Sequence, residues 1–276
     1  MSKPRLSVTQ INMLSRCSLQ WWWRYGKGIK SPPGVALVLG RGTHAAVEAD
    51  LVNKMEWGEL LDEEEVKATA ADATRRIWQE MEPVRTDEDP DEGGTVDTAV
   101  SLASLHHRQV APALEPTAVE ETFVLEMDGF PFDLTGVKDI KEKGRIRDTK
   151  TSSKTPQADE AAKSIQLTAY HLDETARGNA DNEVVLDFLV KSKTPKAVSL
   201  TATRTEEDHR RFLARVEAAA KVIETGAFYP TDPGSWACSS RFCSYFDSVC
   251  PHGRAAVTVG LIDPKRLTSR VEVRRG

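Results

Sequence analysis

The chain has 276 residues, of which 29% are charged and 39% hydrophobic, with a formal net charge of −5. That is the composition of a soluble globular protein, long enough for one large domain or a domain with an insertion. No apolar run approaches the roughly 18 residues of a membrane-spanning helix, and MSKPRLSVTQINML has neither the apolar stretch nor the small-residue cleavage site of a secretory signal, so a cytoplasmic location is expected. The charge is unevenly spread. Residues 1–30 carry Lys3, Arg5, Arg16, Arg24, Lys27 and Lys30 and no acid, and residues 138–154 carry seven bases against three acids. Acids concentrate in Asp62-Glu63-Glu64-Glu65 and in Asp87 to Glu92. Such a pattern allows a basic groove on an acidic body, although charge runs are more often solvated faces.

Taken in chain order, a first helix is expected over Ser7–Tyr25, with Ser7 or Thr9 as cap and Ile11, Leu14 and Leu19 as its apolar positions. It ends on Trp21-Trp22-Trp23. Further helices are expected at 38–53 and at 62–81, the latter with acids in its first turn as the helix dipole favours. EPVRTDEDPDEGGT, residues 82–95, reads as an acidic loop, followed by a helix at 96–114. The period then changes. Segments 119–127, 130–140 and 144–149 read as a meander of strands turning at Asp128-Gly129 and Lys143-Gly144. A helix at 159–177 follows, then strands at 183–191 and 196–203 and a helix at 206–225. The tail from Ala255 has room for one more strand. This order predicts an α/β fold: a central mixed sheet flanked by helices, with a helical N-terminal insertion. The whole chain reads as a single domain, with an N-terminal segment 1–37, a helical part 38–115, a core 116–227 and a cysteine-bearing C-terminal segment 228–276.

Alternation along a strand puts Asp148 and Lys150 on one side of it, and Asp139 can approach them from the preceding strand. Two carboxylates suit a hard cation such as Mg²⁺ or Mn²⁺. A lysine beside them can steady developing negative charge or help deprotonate water. A lone D-x-K is most often an ordinary surface ion pair. Here, however, GVKD, a hairpin and IRDTKTS resemble the core of the PD-(D/E)XK nuclease superfamily in its RecB-like branch. The resemblance implies a restriction-endonuclease-like core in which Asp139 and Asp148 hold the metal and Lys150 is catalytic. GRGTHAAVE resembles that branch's helix in which a histidine adds a ligand, so His44 joins the metal set, with the Thr149 carbonyl as a further ligand. Gly40 and Gly42 are read as opening that helix, and Glu48 lies one turn from His44 as an orienting or merely solvated residue. Gln166 and Tyr170 match the branch's Q-x-x-x-Y, implied to position DNA or the active-site loop.

Four cysteines remain: Cys17, Cys238, Cys243 and Cys250. In a cytoplasmic chain a disulfide framework is not expected. Four thiols with none left over suggest one site, either tetrahedral zinc or an iron–sulfur cluster, with ordinary buried thiols as the alternative. One remote cysteine before an aromatic run (RCSLQWWW) and a trio ending in Cys-Pro resemble the iron–sulfur members of the superfamily: AddB-type helicase–nucleases, CRISPR-adaptation nucleases and related phage exonucleases. The resemblance implies a 4Fe–4S cluster acting as a clasp between the chain's two ends. The C-x4-C-x6-C spacing departs from the C-x2-C-x5-C of some members. Trp21, Trp22, Trp23 and Tyr25 offer base-stacking surfaces beside Arg24 and Lys27, but are read mainly as packing around the cluster and core, as are Phe228, Tyr229 and Trp236. The implied function is metal-dependent hydrolysis of DNA, as an exonuclease in phage-type recombination or DNA processing. A recombination or single-strand-binding protein is the natural partner. A CRISPR-adaptation nuclease, an inactive cluster-bearing DNA-binding module and a zinc-bound RNA-processing protein are the alternatives.

Overall fold

Strands from Pro116 onward, joined by Arg5–Ser7 near the N-terminus, form the sheet. In the computed structural model, which describes residues 3–86, 90–179, 183–250 and 252, the elements are β1 (Arg5–Ser7), α1 (Val8–Arg16), α2 (Ser18–Trp21), α3 (Val35–Trp57), α4 (Glu63–Met81), α5 (Glu92–Gln109), β2 (Pro116–Leu125), β3 (Asp133–Glu142), β4 (Arg145–Ser152), α6 (Glu160–Lys163), α7 (Ile165–Ala176), β5 (Glu183–Val190), β6 (Lys196–Ala202) and α8 (Glu206–Thr225). The acidic stretch 87–89 and the tail from Ala255, where a further strand was expected, lie outside the described residues. The chain divides into two compact units: Met1–Ser15 with Pro32–Ala227, and Arg16–Ser31 with Phe228–Gly276.

The first unit holds the mixed sheet, ordered β1-β3-β4-β5-β6 with β2 on β3. β2–β3, β3–β4 and β5–β6 are antiparallel, whereas β1–β3 and β4–β5 are parallel. Gly144, at φ 74°, makes the tight β3–β4 turn. The two strands then pair only over Ile140–Glu142 with Arg145–Arg147. Beyond that they part, so Asp139 and Asp148 sit where the ladder opens. β4, α6, α7 and β5 form a β–α–β crossover, and α7 lies against β2, β3, β4 and β5. Helices α3, α4 and α5 pack on one another. β5 is buried along nearly its whole length, as a strand covered on both faces must be. No helix among the described residues is long and apolar enough to cross a membrane.

Four expectations need correction. The helix expected over Ser7–Tyr25 is broken at Cys17, whose backbone is extended. Within the second unit, Ser18 Oγ donates to the Tyr229 carbonyl at 2.9 Å and accepts the Tyr229 amide at 2.7 Å. These tertiary bonds override helical continuity. Gly40 and Gly42 do not open a helix but lie inside α3. A Cβ on Gly42 would come within 2.0 Å of Thr74 Oγ1, so the glycine allows α4 to pack close. The fifth helix starts at Glu92, inside the expected loop, because Asp91 caps it by accepting the Gly94 amide at 2.9 Å. The helix expected over 159–177 is two helices, broken at Ser164, whose hydroxyl accepts the Leu167 amide and caps α7.

Candidate active site

Asp139, Asp148 and Lys150 converge where β3 and β4 part. Asp148 is fully buried; its Oδ1 has no hydrogen-bond partner, and its Oδ2 lies 2.6 Å from Lys150 Nζ. Asp139 reaches across the gap: its Oδ2 accepts the Thr149 amide at 2.8 Å, replacing the ladder bond that the diverging strands forgo. Lys150 Nζ also donates to Gln166 Oε1 at 3.1 Å. Gln166 Nε2 in turn donates to the Tyr170 hydroxyl at 2.5 Å. The i, i+4 pair on α7 therefore forms one chain ending on the lysine. Tyr170 is held edge-on to Phe123, centroids 5.9 Å apart. This requires Gly136, where a Cβ would fall 2.6 Å from the Phe123 ring.

His44 enters from α3. Its Nε2 donates to the Thr149 carbonyl at 2.7 Å, and its Nδ1 lies 3.5 Å from Asp139 Oδ2 and 3.9 Å from Glu120 Oε1. One ligand atom from each of His44, Glu120 and Asp139 lies within 4.8 Å of the others. Glu48, one turn on from His44, is exposed. The Thr149 carbonyl sits in the site and receives the imidazole N–H.

The electrostatics show unpaired negative charge. Burial and the nearby Asp148 carboxylate push the Asp139 carboxyl up to about 7. Burial likewise pushes Asp148 up, against the pull of Lys150. Burial works against a charge on His44, but Glu120, Asp139 and Asp148 outweigh it and raise the imidazole to about 9. Lys150 is raised too, its burial offset by Asp148 and Asp139. Three carboxylates face one imidazole and one ammonium, and one of the carboxylates is fully buried with an unpartnered oxygen. Imidazole and carboxylate donors at this spacing fit a divalent cation.

A family model for the PD-(D/E)XK nuclease superfamily matches residues 5–251. The chain belongs to that superfamily. Members of that superfamily use divalent metals. Among solved structures, the nuclease is similar to a protein from Eubacterium rectale named as a candidate exonuclease, at 11% identity over 86% of this chain and 87% of that one, with a TM-score of 0.57. At that identity the likeness concerns the fold. A second structure, called SSO0001, matches at 11% identity over 81% and 88% of the two chains with a TM-score of 0.38. No curated protein matches.

Sequence reasoning missed Glu120. It lies on β2 at φ 51°, a left-handed conformation that is costly for a residue with a side chain. The only hint is an acidic pair, Glu120-Glu121, in the strand beside Asp139. The basic run 138–154 is also not the open groove that charge alone allowed. Lys138 is fully buried, bonded to Glu121, Asp173 and Glu174. Lys141 pairs with Glu174, Arg145 with Glu183, and Arg147 with Glu142 and Asp187.

The cysteines fall in the second unit. Cys243 and Cys250 pack with Tyr245, and Trp23, Ile29, Phe246 and Val249 close around them. Burial raises the Cys243 thiol, and the charges of Cys17, Cys250 and Cys238 add to it; burial, Cys250 and Cys17 likewise raise Cys238. Among the described residues no three cysteine sulfurs lie within 4.8 Å of one another. Trp21 and Trp22 stack on Phe228 with centroids 5.6 and 4.8 Å apart. Tyr229 and Trp236, expected to pack, are instead 56% and 62% exposed.

Proposed function

We propose that this nuclease is a divalent-metal-dependent deoxyribonuclease of the RecB-like branch, acting as an exonuclease in phage-type recombination or DNA processing. The observation that carries the reading is the fully buried Asp148 carboxylate with an unpartnered oxygen, set beside Asp139 and the His44–Glu120–Asp139 group. His44, Glu120, Asp139 and Asp148 would hold Mn²⁺ or Mg²⁺, with the Thr149 carbonyl within the same set. Bound there, the ion supplies Lewis acidity toward a phosphate oxygen and lowers the pKa of water. Lys150, fixed by Gln166 and through it by Tyr170, offers its ammonium to the negative charge that grows on the phosphate. The exonuclease assignment is supported by the fold shared with the Eubacterium rectale protein.

The four cysteines are read as ligands of one 4Fe–4S cluster. Cys17 ahead of an aromatic run and the Cys238, Cys243 and Cys250 trio ending in Cys-Pro support that reading. Such a cluster would join Arg16–Ser31 to the C-terminal segment and contribute folding energy.

End-labelled linear and circular DNA, incubated with Mn²⁺ and either wild type or Asp148→Ala, tests the nuclease reading. Degradation of linear DNA alone, lost in the variant, supports it; no metal-dependent cleavage of any DNA overturns it. Iron and sulfide analysis tests the cluster. Cys17→Ala and Cys250→Ala should yield colourless or insoluble protein, and soluble brown variants would refute the assignment.

A further inference from the structure

We propose that an exposed row on the cysteine-bearing unit, Arg16–Trp236–Phe242–Arg241, is a binding surface for single-stranded DNA. The nuclease reading supplies only the choice of DNA as occupant. The surface itself stands on geometry. Trp236 and Phe242 are 62% and 49% exposed and meet edge to face, with centroids 5.0 Å apart at 89°. The Arg16 guanidinium lies 5.7 Å from the Trp236 ring and that of Arg241 5.6 Å from the Phe242 ring. Scattered exposed apolar residues are ordinary, but contiguous rings usually mark a binding site.

The platform is fixed by its backbone. The Cys238 amide donates to the Ser235 carbonyl at 2.9 Å and the Cys243 amide to the Ser239 carbonyl at 2.8 Å. These turns bury Ala237 and Cys243 and leave the two rings outside. The same unit holds two more cation–ring contacts, Arg24 on Tyr25 at 5.6 Å and Lys27 on Trp22 at 5.1 Å. Four in so short a stretch far exceeds the usual one per roughly 70–80 residues.

Charge selects the occupant. Among the described residues of this unit, Arg16, Arg24, Lys27, Lys30 and Arg241 stand against Asp232 and Asp247 alone, in a chain whose net charge is −5. A polyanion is drawn to this unit rather than to the rest of the protein. An apolar partner would have to desolvate two guanidiniums. A duplex hides its base faces. A single strand offers both stacking faces and phosphates, which is what rings flanked by cations recognise.

The test is fluorescence anisotropy of a fluorescein-labelled oligothymidylate with the full-length protein in EDTA, so that no cleavage is needed. Trp236→Ala and Phe242→Ala should each weaken binding about 5- to 150-fold, while Trp236→Phe keeps most of it. Arg16→Gln and Arg241→Gln should each flatten the dependence of log affinity on log salt by roughly 0.7 for every phosphate left without its cation. Binding to blunt duplex should change less than binding to the single strand. Unchanged oligothymidylate binding in both alanine variants overturns the proposal. So does wild-type protein that self-associates in sedimentation while Trp236→Ala is monomeric and binds DNA normally, which would assign the row to a second copy. Loss of binding in Trp236→Phe equal to that in Trp236→Ala, with a changed circular dichroism spectrum, also overturns it, since the ring would then be structural. Absence of metal-dependent cleavage in the wild type would sink the nuclease reading and leave these binding results standing.

Discussion

Asp148→Asn should stabilise the metal-free protein while abolishing its cleavage of DNA. Asp139 is lifted from 3.8 to about 7, first by burial and second by Asp148. About three units correspond to roughly 4 kcal/mol opposing ionisation of Asp139 in the folded state. The sign follows from linkage. A carboxyl whose folded pKa is raised loses stability as pH climbs from its unfolded value, and the loss is complete above the folded value. Removing the Asp148 charge leaves the burial and takes away the repulsion, a gain of about 1–2 kcal/mol above neutral pH. The lost partner of Lys150 costs little, since its side chain is 40% exposed and it still bonds Gln166. In a chain of 276 residues the gain is worth roughly 2–4 °C in Tm. Thermal melts in EDTA at about pH 8 and pH 5 read it, and the gain should shrink by more than half at the lower pH. Mn²⁺ should reverse the order, stabilising wild type and not the variant. A variant that melts below wild type in EDTA at about pH 8 would refute the reasoning, because Asp148 would then be an ordinary structural carboxylate.

Three further outcomes follow from packing and charge. Lys138→Met should destabilise by about 3 kcal/mol in urea titrations, the lower end for a broken buried ion pair, because Asp173 keeps Arg177 and Glu174 keeps Lys141 and Asn179. Burial would raise Glu174, but Lys138, Lys141 and Asn179 lower it to about 2; its contribution is present above its ordinary value of 4.5 and is lost as pH falls toward 2, so acid melts should show a drop across that window that Glu174→Gln lacks. Gly42→Ala should cost about 1–3 kcal/mol by overpacking against Thr74, read as a lowered Tm with unchanged metal binding.

The motif residues were legible because each carries its spacing in the chain. Asp148 and Lys150 share a side of β4 by alternation, and Gln166 and Tyr170 share a face of α7 by helical period. Their meeting follows once β3 and β4 form a hairpin. The break at Cys17 was not legible, since it depends on a bond from Ser18 to Tyr229, 211 residues away. Nor was the fate of the basic run: Lys138 and Arg147 belong to a run read as a solvated face or a basic groove, until β5 and α7 bring Asp187, Asp173 and Glu174 against them. Exposure of Trp236 and burial of Trp21 are likewise settled by tertiary contacts rather than by residue type.

Glu120 shows the limit most clearly, and a pair of variants isolates its role. A φ of 51° costs a residue with a Cβ about 1–2 kcal/mol, and nothing in the sequence announces it. With this backbone the Glu120 carboxylate lies beside His44 and Asp139. Glu120→Gly removes both the strain and the carboxylate. It should raise metal-free stability by up to about 1 kcal/mol, after the entropy cost of glycine in a strand, and weaken Mn²⁺ binding measured by calorimetry. Glu120→Gln keeps the strained backbone and loses only the charge, so it should weaken Mn²⁺ binding without the gain from released strain. If Glu120→Gly destabilises the protein and leaves Mn²⁺ affinity unchanged, the conformation serves the sheet and not the metal.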